Sequence, residues 1–457
     1  MIAASSKWRV PFIQGLLGTI LVVLSWTTGS LAWGQLTTEQ LIGSAVSLSN
    51  QQYPEIDKAI QRFSNSDAKG ALEYLKIAKE KYPKLPPTDV TFAKMHMAAR
   101  NARGVQILLE RAVTEHPDDP EAYLILADQA FRGNRTTEAQ GLFELAAPLV
   151  ETFSGNSKRK RNFNISVIAG RSAIAERRAQ WDTAYQLLKK WVEFDPDSSL
   201  AHTRLGVTLF RLEKAKESLE ELIHAHKLNP DMSHPYVSLG QLFTQAGNIQ
   251  NARKSYEKAY NEDKSDLKTA QSYADWLIVQ NELDKAREVA TALREQSPDS
   301  PKALLLDGIV SYMQGEEERT EQTLQKVLTL DPRNARANDL LALLLIQSDK
   351  VSDRERALSY ANNNADQLPN NSQALITKAW VLYRLGHKAE AQTALQQGAK
   401  NQLQADSTYL IAKIMLEEGQ KEKAMQALEQ IANQKAGLRI FRREAEELLK
   451  ELKSESP

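Results

Sequence analysis

The chain has 457 residues, and its 58 lysines and arginines equal its 58 aspartates and glutamates, so no overall field points to nucleic acid or an anionic membrane. Ala, Leu, Glu, Lys, Gln and Arg dominate, whereas the Val, Ile and Thr alternation that strands need is nearly absent, which excludes a sheet protein. There is no cysteine, which rules out disulfides, thiolate metal sites, cysteine nucleophiles and a lipidated lipoprotein N-terminus.

In chain order, Lys7 and Arg9 precede an apolar run from Phe12 to Trp26, and "GSLAWGQ" follows with small residues suited to a signal peptidase. Residues 1–34 are expected to be a secretory signal peptide, cut after Ala32 or after Gly34, the second leaving Gln35 first. The competing reading is an uncleaved anchor, because no charge occurs from Val10 to Thr38 and ~20 apolar residues span a bilayer. Gln14, Gly15, Gly18 and Thr19 dilute that run and argue for cleavage. The expected location is the periplasm or cell envelope, with an inner-membrane-anchored form facing the periplasm as the alternative, and membrane contact only through this segment.

Residues 35–52 read as a lead-in. From residue 53 to 151 a repeating spacing begins, with Ala71, Ala78 and Pro83, then Ala93, Ala112 and Pro117, then Tyr123, Ala127, Ala139, Phe143 and Ala146. It is interrupted around "TFSGNSKRKRN", expected to be a basic insertion loop over 152–164. There Lys158, Arg159, Lys160 and Arg161 either form a solvated run or grip an anionic partner. Over 165–434 the spacing is clearest: Pro196, Pro230, Lys264, Pro298 and Pro332 fall at 34-residue steps. Between them Tyr236, Leu239, Gly240, Phe243, Ala252, Tyr256 and Ala259 match His202, Leu205, Gly206, Leu209, Ser218, Leu222 and Ala225 one period earlier. Extra residues around "SDKVSD" break the count once more before Ala357. Residues 435–457 read as an amphipathic closing helix and tail, with Leu438, Phe441, Ala445, Leu448 and Leu449 on one side.

Each window holds two helices, and the small residues sit where the helix axes must approach to ~8–10 Å. Gly247, Gly315, Gly386 and Gly419 recur at one repeat position, where the first helix needs a left-handed cap, and the closing proline stops the second helix. A single pair cannot bury both faces, so neighbouring pairs must stack. With its 34-residue period, this pattern of a large residue, Leu-Gly, an aromatic, two alanines and a closing proline resembles the tetratricopeptide repeat family from about Tyr53 to Gln434. The resemblance implies an all-α, right-handed superhelical solenoid of stacked helix-turn-helix repeats with a C-terminal capping helix, whose first helices line a concave groove. A monomer is expected, because the repeats close on themselves by stacking.

No Gly-rich phosphate loop, nucleophile elbow or H-E-x-x-H motif appears, so an enzyme, a catalytic residue set and a cofactor are not expected. The histidines of "HAHKLNPDMSH" are two apart or lie off one helix face, and no acid or cysteine completes a tetrahedral set, so no metal is expected. Carried over from the family resemblance, the groove stripe is Tyr312 and Met313, then Trp380, Tyr383 and Arg384, then Tyr409 and Lys413, with Phe210 nearer the N-terminus. Trp, Tyr and Arg are the residue types that dominate binding energy, but adjacent first helices also pack on each other, so the same rings also read as inter-repeat filling. Thr203, Val207, Val237 and Gln241 stand where a basic clamp for a C-terminal carboxylate would need Lys, Asn and Arg. The function implied is a non-catalytic exported scaffold that binds a protein or peptide with apolar anchors and some acid, and no nucleic acid. The alternatives are a cell-envelope assembly factor with transient clients, or the regulatory or binding subunit of a separate enzyme.

Overall fold

A computed structural model describes residues 38–42, 52–400, 403–433 and 440–454; the expected signal peptide and Leu438 lie outside them. Among the described residues there are helices and no strand, in two compact units divided between Asn229 and Pro230.

In unit 1, the short α1 (Thr38–Ile42) precedes five helix pairs: α2 (Pro54–Ser64) with α3 (Ala68–Lys81), α4 (Thr88–Ala98) with α5 (Ala102–Glu115), α6 (Pro120–Arg132) with α7 (Thr136–Thr152), α8 (Ser157–Arg177) with α9 (Trp181–Phe194), and α10 (Ser199–Arg211) with α11 (Ala215–Leu228). Unit 2 has six pairs: α12 (Pro235–Gln245) with α13 (Ile249–Glu262), α14 (Leu267–Val279) with α15 (Leu283–Gln296), α16 (Pro301–Met313) with α17 (Glu317–Leu330), α18 (Ala335–Leu345) with α19 (Val351–Gln367), α20 (Ser372–Arg384) with α21 (Lys388–Gly398), and α22 (Ala405–Glu417) with α23 (Lys421–Asn433). A last helix, α24 (Arg442–Ser454), packs on α23 and α22. Within each unit a first helix lies on its own partner and on the second helix of the pair before, apart from α22, which packs on α20; this is the stacking the periodic alanines predict.

The template residues do what their spacing implies. Ala252, Ala259, Ala286 and Ala290 are buried where helices meet. A Cβ on Gly240 would come within 2.9 Å of the Tyr256 ring, and one on Gly308 within 2.6 Å of Leu324 Cδ2, so each glycine is a close helix crossing that no larger residue fits without displacement. Ten of the eleven intra-pair turns place one residue in the left-handed region: Gly247, Gly315, Gly386 and Gly419, and also Ser66, Arg100, Asn134, Ala179, Glu213 and Asn281. The exception is the turn between α18 and α19, where the extra residues of "SDKVSD" make a longer connection.

The basic insertion is not a loop over 152–164. Its extra residues are absorbed as helix length, since α7 runs for 17 residues and α8 for 21, and Lys158 to Arg161 occupy the first turns of α8. The Asn156 side chain caps that helix by accepting from the Lys158 and Arg159 amides.

Candidate functional site

The first helices α14, α16, α18, α20 and α22 of unit 2 pack side by side, each against the next, and present one stripe of side chains that crosses from pair to pair. Its C-terminal part is built on α20 and α22. Trp380 and Tyr383 come from α20 and are only 4% and 8% exposed, because the neighbouring first helices close over them. Above the Trp380 indole stand two cations, the Lys413 ammonium at 4.9 Å and the Arg384 guanidinium at 5.5 Å; Lys413 also lies 5.8 Å from the Tyr409 ring. The negative face of the indole attracts both, by about 0.5–2 kcal/mol each depending on desolvation. Among the described residues neither cation has a carboxylate within ion-pair distance. Burial, followed by the charge of Arg384, pulls the Lys413 ammonium below the usual lysine range, although Glu417 and Glu444 act in the opposite sense. The site thus holds two like charges on an apolar floor, a setting that an incoming carboxylate relieves.

A second cluster lies beside it. Arg336 of α18 reaches across to Asp406 of α22 at 2.7 Å, and Asp406 also accepts the backbone N–H of Phe441 at 3.4 Å. The Phe441 ring stacks on Tyr409 at 4.9 Å and meets Tyr312 edge-on at 6.2 Å. Tyr312, Phe441, Tyr409, Lys413, Trp380 and Arg384 therefore form one continuous line of rings and cations.

Near Arg336, burial pushes the carboxyl of Asp339 up to about 6, against the pull of Arg336 and of the Asn364 amide, which donates to it at 2.8 Å. Burial likewise raises Asp275 to about 6, again opposed by Arg336. An acid that holds its proton more tightly when folded contributes stability that is full below its unfolded value near 4 and lost as pH rises through about 6. Urea unfolding of the wild type and of Asp339→Asn tests this. The stability difference, wild type minus variant, should fall by about 2 kcal/mol between pH 4 and pH 7. A difference that is flat, or that rises, would show that Asp339 does not titrate in this window.

The remaining sequence-predicted residues are placed as follows. Tyr312 and Met313 are half-buried at the end of α16, packed against the core of unit 2. Phe210 is half-buried at the end of α10 and belongs to unit 1, apart from the other groove residues. Arg159 is 2% exposed and is used internally: its guanidinium holds Asp119 at 2.9 Å and Glu121 at 2.6 Å, while Lys94 pairs with the same Glu121. Arg161 pairs with Asp195 at 2.6 Å and Lys160 donates to the Glu151 carbonyl at 2.8 Å, so of the four cations Lys158 is the one whose side chain has neither an ion pair nor a hydrogen bond among the described residues. His202 holds Glu221 at 2.6 Å and the Pro196 carbonyl at 2.9 Å, and its ring lies 4.2 Å from that of His224. Among the described residues no group of histidines and acids could hold a metal ion, and no helix is long and apolar enough to cross a membrane.

Arg336, Asp339 and Asp406 escaped the sequence reading, and Phe441 was read there only as part of the apolar side of the closing helix. Arg336 and Asp406 stand 70 residues apart, and a charged residue on a first helix has the same period whether it faces solvent or the neighbouring repeats.

A family model described as tetratricopeptide repeat matches residues 243–306, and a second with the same description matches 96–153 and 376–437. The chain is 24% identical over 152 residues to tetratricopeptide repeat protein 37 of Xenopus laevis, covering 32% of this chain and 10% of that protein. It is 28% identical over 142 residues to anaphase-promoting complex subunit 7 of Dictyostelium discoideum, covering 31% of this chain and 24% of that protein. The chain thus spans a quarter or less of the length of these relatives. Among solved structures, a tetratricopeptide repeat protein from Parabacteroides merdae matches with 18% identity and a TM-score of 0.42, over 56% of this chain and 98% of that one. Yeast Tom70 matches with 14% identity and a TM-score of 0.39, over 88% of this chain and 95% of that one.

Proposed function

The chain belongs to the tetratricopeptide repeat family, and from that premise we propose that it is a non-catalytic, exported scaffold that holds a protein segment on the inner face of unit 2. The observation that carries this reading is the pair of cations, Arg384 and Lys413, held over Trp380 without a carboxylate partner. Lys413 is half-buried on an apolar floor with the exposed Arg384 beside it, and a partner's Asp or Glu beside an apolar anchor is the group that fits both. The partner is therefore an acid-bearing protein segment, engaged by a monomeric scaffold, and nucleic acid is disfavoured by the balanced charge of the chain.

The double variant Arg384→Glu, Lys413→Glu tests it. Wild type and variant are immobilised and exposed to the same cell-envelope extract, with circular dichroism and melting followed in parallel. Proteins held by the wild type should be lost from the variant by tenfold or more (about 1.4 kcal/mol or more), with the fold unchanged. Equal retention on both would overturn the assignment of this surface.

Export is proposed from Lys7, Arg9 and the apolar run Phe12 to Trp26. N-terminal sequencing of protein recovered from the envelope fraction should begin near Gln35, and a chain that still carries Lys7 would contradict cleavage.

A further inference from the structure

A helix that only closes a stack needs an apolar side toward the last pair. α24 has one, since Ala445, Leu449 and Leu452 are buried against that pair and Lys453 holds Glu429 at 2.7 Å. The residues just before α24 do something that closure does not require. Ile440 is 2% exposed and belongs to the hydrophobic core that runs from α12 to α18, well before the pair that α24 covers. Phe441 joins Tyr409 of α22 to Tyr312 of α16, first helices three pairs apart.

The carboxylate of Asp406 adds a polar requirement. A side chain caps each of α12, α14, α16, α18 and α20, through His234, Asp266, Ser300, Asn334 and Asn371, whereas Gln404 gives α22 no side-chain cap. Asp406 stands in the first turn of α22 but is committed elsewhere: one oxygen holds Arg336, and the other accepts the N–H of Phe441 at the start of α24. The first N–H groups of any helix lack internal partners, and the helix dipole makes that end positive, so an acid placed opposite a helix start is a recognition element for one.

We infer that the inner face of unit 2 between Tyr312 and Tyr409 is a docking site for the start of a helix bearing adjacent aliphatic and aromatic residues, and that residues 440–454 fill it in cis in place of a protein partner of that chemistry. The inference rests on the reading of the inner face as a protein-binding surface. Two tyrosine rings receive the aromatic side chain, the apolar core that runs from α12 to α18 receives the aliphatic one, and Asp406 receives a free backbone N–H. Because the cis segment is tethered, it competes at an effective concentration on the order of millimolar, and a partner engages fully only when α24 is loosened.

The probe is a synthetic peptide of residues 438–454, labelled with fluorescein at its N-terminus and titrated by fluorescence anisotropy into the full-length chain. Phe441→Ala, Leu449→Ala in the protein weakens the cis helix and should raise peptide affinity by about tenfold or more over the wild type. The same peptide carrying Phe441→Ala should lose that gain. Should the double variant fail to fold, Phe441→Ala alone, in which Leu449 and Leu452 still hold α24, should give about a threefold gain. Equal binding to wild type and variant, or no binding to either when both are folded, overturns the inference. Undiminished binding of the Phe441→Ala peptide also overturns it, because α24 is then a stacking cap alone. None of these outcomes bears on Arg384 and Lys413: if the charge-reversed variant still loses its partners while the peptide fails to bind, the inference falls and the proposed function stands.

Discussion

Asp307→Ala should cost unit 2 about 3–5 kcal/mol, because it strips three arginines of the buried carboxylate they share. Asp307 is 0% exposed, and its two oxygens hold Arg287 at 2.9 Å, Arg294 at 3.1 Å and Arg319 at 2.9 Å. Arg287 and Arg294 project from α15 and Arg319 from α17, so one α16 carboxylate ties together both helices that flank α16. The side chains of Arg294 and Arg319 are about a third open to water, which softens their repulsion. That of Arg287 is more enclosed, and it keeps further bonds to Ser311, Gln314 and Glu316. The loss should therefore come from desolvated guanidinium left without its acceptor rather than from long-range repulsion, and added salt should restore only a minor part. Urea unfolding at neutral pH with and without 0.5 M sodium chloride measures both effects. A loss under 1 kcal/mol would mean that Glu316 and water replace the carboxylate.

The double variant Trp380→Ala, Tyr383→Ala carries the other large effect. Truncating a buried aromatic costs about 3–5 kcal/mol, and the two rings stand one helical turn apart on α20, so their losses combine without adding fully. Both belong to the core that joins α18 to α24. The expected result is a marked fall in melting temperature, with partner retention falling only as far as the folded fraction does. This contrasts with Arg384→Glu, Lys413→Glu, where exposed or half-buried cations change, the fold holds and retention goes. If the aromatic variant melts like the wild type yet loses its partners, the rings themselves are the contact surface.

The contrast between these variants marks where the sequence was legible. The period in alanines, with a closing proline in part of the repeats, marks the helix pairs outside the stretch around α8, because helix crossings tolerate little besides small residues and so write themselves into composition. Four turns are visible as glycines at one repeat position, but six others use Ser66, Arg100, Asn134, Ala179, Glu213 and Asn281 in the same left-handed conformation. Stacking over-determines those turns, and the penalty of about 1–2 kcal/mol for each side chain there is absorbed. The run Lys158 to Arg161 shows the opposite failure. Four adjacent cations have the composition of a solvated loop, whereas Asp119, Glu121 and Asp195 that receive two of them are 34 to 40 residues away and carry no local mark. In the candidate site the stripe Trp380, Tyr383, Tyr409 and Lys413 was legible, and burial between repeats was one of the two readings it left open. An i, i+4, i+7 face on a first helix has the same pattern whether it meets a ligand or the next repeat.

The shared geometry of ten intra-pair turns also bears on how such a chain can change its length over generations. A residue gained or lost inside one of those turns would displace the left-handed position from the place where the two helices need it, so growth there must proceed by duplicating or deleting whole pairs. The connection between α18 and α19 stands outside this constraint. It has already taken in extra residues without disturbing the packing of α19 on α18 or of α20 on α19, and there Asp349 reaches only Arg354, at 3.5 Å, while Val351 at the start of α19 is exposed. Heredity can edit this chain by single codons at that connection, while at the other ten turns it must work in units of a repeat.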